Sequence, residues 1–167
     1  MKLGEGVEQS IHCVGMLAGL SDGGVLSAAA LAEFHGVSVS YLLKHLQALS
    51  GAGILDTVPG PKGGYRLARK PEKITLLDIV LAAEGPAPAF RCTEIRRRGP
   101  NPLEGRYFAK PCGINAAMLA AERVYRAELA KTTIADVLTY LTQSDTDGGI
   151  AARGCAFLEL HERKTKS

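Results

Sequence analysis

Apolar residues recur at helical spacing from the start of the chain. Val7, Ile11, Val14, Leu17 and Ala18 form one stripe, which predicts a helix over residues 7–20 that SDGG closes. Ser27 is placed to cap a second helix over residues 28–35, its hydroxyl accepting an early unpaired N–H, and Gly36 ends it. Ser38 stands in the same relation to a third helix over residues 39–49, with Val39, Leu42, Leu46 and Leu49 turned inward and Ser40, Tyr41, Lys44 and Gln47 outward. Two short helices joined by a tight glycine-containing turn are a helix-turn-helix. After SGAG, the segments ILDTV and YRLA flank a PGPKGG turn and predict a two-stranded hairpin, the wing of a winged helix.

Thr75 caps the next helix, TLLDIVLAAE, which stops before the proline-rich residues 85–88. Residues 90–111 show no period, and a connection of roughly 20 residues calls for a function or a ligand that orders it. A long helix follows over residues 113–131, where Ile114, Met118, Ala121, Val124, Tyr125 and Leu129 make one stripe that packs most economically on its two-fold mate. TIADVLTYL predicts one more helix; beyond Gln143 the chain turns polar and glycine-rich and is expected to be flexible, with HERKTKS as a frayed tail. The fold class expected is mainly α: a winged helix-turn-helix domain with a two-stranded wing, plus a long dimerisation helix.

Composition narrows the function. With 167 residues, 46% of them hydrophobic, the chain can bury one core. The N-terminus lacks a basic segment leading into an apolar core, and no apolar run approaches the roughly 18 residues that span a bilayer, so a cytoplasmic protein without a membrane partner is expected. Four cysteines, Cys13, Cys92, Cys112 and Cys155, are too sparse for a disulfide framework and leave metal or redox chemistry open. The net charge of +3 is unevenly spread. Between positions 38 and 73, Lys44, Lys62, Arg66, Arg69, Lys70 and Lys73 face only Asp56 and Glu72, a balance of +4, so the rest of the chain carries −1. That concentration predicts a polyanionic partner.

The third helix is the candidate recognition helix. Its outer face offers Ser38, Ser40, Tyr41, Lys44, His45 and Gln47 to phosphates and base edges, while Lys62 and Arg66 on the wing suit backbone or minor-groove contacts. A two-fold dimer would set two such helices about one DNA turn apart and read an imperfect palindrome in double-stranded DNA. No supporting acid or glycine-rich substrate loop accompanies a Cys/His pair, so no enzyme is expected.

The segment VSVSYLLKHLQALSGAGILDTVPGPKGGYRLARKPEKITLLDIVLAAEG, with its GPKGGYRLAR wing and ITLLDIV helix, resembles the winged-helix core of the Rrf-two family of bacterial regulators, over residues 1–141. The resemblance implies a homodimeric transcription regulator with a DNA-binding domain over 1–85, a cysteine-bearing sensor loop over 86–112, dimerisation and C-terminal helices over 113–142, and a flexible extension over 143–167. In the best-known members the loop carries three cysteines that hold an iron-sulfur cluster; here it carries two, Cys92 and Cys112, separated by nineteen residues.

A cluster needs four ligands. Glu8 and His12, four residues apart, share one face of the first helix and can present an oxygen and a nitrogen to a common point. This pattern is similar to a branch of the family with mixed Cys, Glu and His ligation of a 2Fe-2S cluster shared between subunits. The resemblance implies Glu8 and His12 from one protomer, and Cys92 and Cys112 from the other. Such a donor set carries one negative charge fewer than four thiolates, which raises the potential, and its imidazole couples redox state to protons. A metal-free Cys92–Cys112 thiol switch and a zinc site made of the same groups remain chemically open. Cys13, beside His12, points to the core, Cys155 is a spare thiol, Arg96 to Arg98 read as a solvated charge run, with DNA or a cluster-linked acid such as Glu94 as the alternative partner, and His35 as a cap or surface residue.

Overall fold

The computed structural model describes residues 3–164. Helix α1 (Glu5–Leu17) is followed by a two-residue strand β1 (Gly24–Val25), then α2 (Ala28–His35) and α3 (Val39–Gly51). The α2–α3 junction forms as its sequence dictates. The Ser27 hydroxyl accepts from Ala30 N at 3.1 Å, and Gly36, at φ +65°, ends α2 in the left-handed region that a side chain would disfavour. Leu42, Leu46 and Leu49 of α3 are fully buried against Val14 and Leu17 of α1 and Leu31 of α2, and this cluster is the heart of the core. Burying each such leucine stabilises the fold by about 1.5–3 kcal/mol.

The wing consists of β2 (Leu55–Val58) and β3 (Gly64–Leu67), antiparallel, with Asp56 opposite Arg66 and Thr57 opposite Tyr65. On the other side of β3, Leu26 and Tyr65 exchange backbone bonds of 3.1 and 2.8 Å, which fastens the wing to the segment entering α2. Helix α4 (Leu76–Glu84) starts from a capping box in which Thr75 accepts from Asp78 N and the Asp78 carboxylate accepts from Thr75 N. A second box, Thr133 with Asp136, opens α6 (Ile134–Ser144), and the two starts are laced together by Leu76 N to Thr132 O and Ile134 N to Ile74 O. Between them runs α5 (Gly113–Leu129), on which Ile114 and Val124 are 68% and 71% exposed and Met118 is also exposed. The chain itself leaves that stripe uncovered. Among the described residues no helix is long and apolar enough to cross a membrane.

Three expectations are corrected. Val39 points outward, at 41% exposure, because α3 turns its 42, 46 and 49 positions to the core and leaves 39 at the rim. Ser38 occupies the cap position of α3 without making the cap bond; its hydroxyl meets that of Ser40 at 2.9 Å instead. The described part of the expected flexible extension, residues 143–164, is not loose: α7 (Gly149–His161) and a short strand β4 (Arg163–Lys164) fold back on the domain. The Asp145 carboxylate accepts from Ile150 N and Ala151 N and so starts α7, while Phe157 and Leu158 pack against the core. The last three residues of the expected frayed tail, at 165–167, lie outside the described residues.

Candidate functional site

The core-facing leucines of α3 hold the helix rigidly, and its opposite face presents Ser38, Ser40, Tyr41, Lys44 and Gln47 to solvent. His45 is the exception among the residues assigned to that face. It is only 7% exposed, its ring lies against Gly6 of α1 and edge-on to Tyr41 at 4.8 Å, and its Nε2 has no partner. Loss of water, then the nearby Lys44 charge, lower its pKa, against a weaker opposing pull from Glu84. The signal was present: 42, 45, 46 and 49 are the i, i+3, i+4, i+7 template of a buried face, and the polarity of histidine masked its membership. On the wing, Lys62 is exposed in the turn, whereas Arg66 faces Asp56 at 3.6 Å. Arg69 is occupied by Gly53 O, Lys73 O and Asp78. Among the described residues, Lys44, Lys62, Lys70 and Lys73 have no carboxylate within ion-pair distance, so the free positive charge of this stretch sits on lysines.

A second cluster forms in the loop. Cys92 Sγ, Cys112 Sγ and a Glu94 carboxylate oxygen all lie within 4.8 Å of one another. The loop that brings them together is ordered by its own contacts. Arg96 and Arg97 lie over the Phe108 ring at 5.0 and 4.0 Å, Leu103 N bonds Arg96 O, and Glu122 of α5 accepts from Ala89 N while its partner Arg126 donates to Pro86 O and Ala87 O. Of the run Arg96 to Arg98, Arg97 and Arg98 are exposed, as expected of a solvated run, whereas Arg96 takes up the alternative partner: it grips Glu94 Oε2 at 2.7 Å, because the chain folds its guanidinium back onto the carboxylate. Glu94 itself sits at φ +48°, a strained conformation for a residue with a side chain.

The electrostatics of the two thiols differ. Cys112 stands at the N-cap of α5, and N–H groups of Asn115 and Ile114, helped by Arg96, hold its thiol below the ordinary range against some desolvation. At Cys92 a bond from the Glu94 backbone pulls down, but lost solvation and the Glu94 carboxylate, which accepts from Sγ at 3.5 Å, leave the thiol raised. The hydrogen bonds from Arg96 keep Glu94 ionised below its usual range. Sequence reasoning named Glu94 as a cluster-linked acid that Arg96 to Arg98 could touch, but not among the four ligands; its spacing of two from Cys92 was the available signal.

Glu8 and His12 are both exposed on one face of α1, as their spacing predicts, and line a hollow of about 380 Å³ with Leu3, Val7 and Ile11. Neither cysteine lines it. Within one chain the four candidate ligands thus fall into two pairs. His12 lies 5.6 Å from the ring of His35. His35 is no surface cap: its Nε2 is buried without a partner, Phe34 packs edge-on at 5.0 Å, and burial, then His12 and Arg153, lower its pKa to about 4. Cys13 is fully buried and its thiol is pushed up to about 12 by burial, while Cys155 is exposed.

Comparison with known proteins identifies the fold and family. The family described as "Rrf2: Iron-dependent Transcriptional regulator" matches residues 3–140. YffB of Lactococcus lactis, named as an HTH-type transcriptional regulator, is 33% identical over 137 residues, covering 82% of this chain and 86% of its own. Among solved structures, IscR of T. potens superposes with a TM-score of 0.65 at 23% identity, covering 91% of this chain and 96% of its own. CymR, the global cysteine regulator of B. subtilis, superposes with a TM-score of 0.62 at 20% identity over 84% and 98%. At such identities the two structures establish the shared winged-helix fold.

Proposed function

Because the chain belongs to the Rrf2 family, whose members are transcription regulators and not enzymes, we propose that it is a homodimeric, redox-responsive regulator of transcription. In this reading residues 1–85 bind a palindromic operator, with Ser38, Ser40, Tyr41, Lys44 and Gln47 in the major groove and Lys62 and Arg66 on the backbone. Residues 86–112 are the sensor loop, and α5 within 113–142 pairs with its two-fold copy through the uncovered Ile114, Met118 and Val124.

The sensor is an iron-sulfur cluster, of the 2Fe-2S type, held by Cys92 and Cys112 together with the partner's Glu8 and the partner's His12. The observation that carries this is the meeting of two thiols across nineteen residues of loop. The donors fit such a group. Cys112 is already acidified toward the thiolate that iron binds, Glu94 is engaged by Arg96, and two ligands are still needed from outside the loop. When bound, the cluster supplies a one-electron redox centre. The residues of the chain relay its state: α1, which bears Glu8 and His12, packs on α3 through Gly6 and His45, so a shift of α1 moves the DNA-reading helix. The same apposition of sulfurs favours a second reading, a cluster-free thiol–disulfide switch of the same fold.

The visible spectrum of anaerobically purified protein decides between them. A coloured protein that bleaches with dithionite, and whose spectrum changes in Glu8→Ala, His12→Ala and Cys92→Ala, supports the cluster. A colourless protein with a reductant-sensitive operator affinity replaces it with the thiol switch.

A further inference from the structure

The family match ends at residue 140, and the segment beyond it reaches back to the wing. β4 pairs antiparallel with β1, Arg163 opposite Val25 and Lys164 opposite Gly24, and Leu26, next to β1, is bonded to Tyr65 of the wing strand β3. The C-terminal strand is therefore an outer strand, separated from the wing hairpin by β1. The Arg163 guanidinium donates to Pro61 O at 3.1 Å, in the turn that also carries Lys62. Arg163 and Lys164 are both exposed, and among the described residues neither has a carboxylate within ion-pair distance. The acid next to them in sequence, Glu162, is held by the Ser21 hydroxyl and backbone. α7 fixes the strand in place: Arg153 donates to Phe34 O at 3.0 Å, and Phe157 packs against Phe34.

We propose that Arg163 and Lys164 belong to the DNA-contacting surface, adding phosphate contacts beside Lys62. The inference rests on the winged helix being the DNA reader. An arginine held by a single carbonyl keeps most of its donors free for phosphate oxygens, and main-chain pairing removes the entropy that an unstructured basic tail would lose on binding. The strand supplies charge and no sequence information.

Because phosphate contacts are independent of sequence, a random-sequence duplex of about three helical turns is the probe, and the slope of log K against log salt is the readout. Arg163→Gln/Lys164→Gln should bind more weakly, with a slope shallower by about 0.9 for each phosphate that is no longer neutralised. The charge-preserving Arg163→Lys should keep the wild-type slope although it weakens the bond to Pro61. Wild-type slope in the double glutamine variant, with a shallower slope in Lys62→Gln, overturns the proposal and leaves the winged-helix reading standing. A slope that falls equally in Arg163→Lys and in the glutamine variant also overturns it, since the wing tether and not the charge would then matter. Wild-type slopes in Lys44→Gln and Lys62→Gln as well would instead remove the DNA-reading face itself.

Discussion

Gly6→Ala tests the contact through which α1 meets the DNA-reading helix. A Cβ at position 6 would fall into the His45 imidazole, 2.8 Å even from Nδ1, the most distant of the three ring atoms it would meet. The ring has little room to yield, being 7% exposed and closed in by Tyr41 at 4.8 Å. Overpacking of this kind costs about 1–3 kcal/mol, and overlap with a ring belongs at the upper end. Gly6 stands in the first turn of α1, where alanine returns only a fraction of the about 1 kcal/mol that propensity gives in a helix interior. The net expectation is a loss of about 2 kcal/mol in the otherwise native protein. In a His45→Ala background the obstruction is gone and only the first-turn propensity remains, so the same substitution should be neutral or stabilise by less than about 1 kcal/mol. The coupling is thus about 3 kcal/mol and removes the cost of the single change, at the upper end of what contacting residues show. Urea unfolding followed by far-UV circular dichroism, at one fixed protein concentration because the proposed dimer would link stability to concentration, measures all four corners of the cycle. An equal cost of Gly6→Ala in both backgrounds would refute the packing argument and return His45 to the solvent face.

In cluster-free protein, Cys112 should be alkylated by iodoacetamide at lower pH than Cys92: its thiol is lowered, so its thiolate fraction rises first, whereas that of Cys92 is raised. Peptide mass spectrometry across a pH series reads the order, and the reverse order contradicts the assignment of the helix N-terminal N–H groups to Cys112. In the same experiment Cys13, at about 12, should stay unmodified until the protein unfolds. Phe157→Ala removes a half-buried ring that packs on Phe34 at 4.9 Å and stacks on His161 at 4.0 Å. It should cost about 1–2 kcal/mol, a fraction of the full core penalty, and make the segment from α7 onward the first site of limited proteolysis. Unchanged cleavage would show that α7 does not depend on that contact.

Much of the DNA-reading half was legible because local chemistry and tertiary packing agree there. Ser27 caps and Gly36 terminates where their backbone preferences require, and Thr75 opens α4 through a box completed by Asp78. What escaped the sequence is what only packing decides. His45 completes a buried stripe in spite of its polarity, because α1 offers a glycine-sized gap opposite it. The segment after Gln143 looked loose because glycine and alanine weaken its pattern, yet Asp145 starts a helix and Phe157 and Leu158 dock it. The approach of Cys92, Glu94 and Cys112 depends on an aperiodic loop closing through Arg96, Arg97 and Phe108, contacts that no hydrophobic period encodes. The pairing of Glu8 with His12 was legible from spacing alone. Their union with the cysteines, as proposed above, is a property of two chains.

That union is the central claim, and mixed dimers test it most directly. One tagged chain carries Glu8→Ala/His12→Ala, and a second, with a different tag, carries Cys92→Ala/Cys112→Ala; the two are co-expressed and purified anaerobically through both tags. If ligands are shared across the two-fold axis, each mixed dimer holds one complete set of four, and its iron content and visible absorbance should reach about half those of the wild-type dimer, while each parent variant alone is colourless. A mixed dimer as colourless as its parents, beside a coloured wild type, would contradict the account and confine the cluster ligands to a single chain.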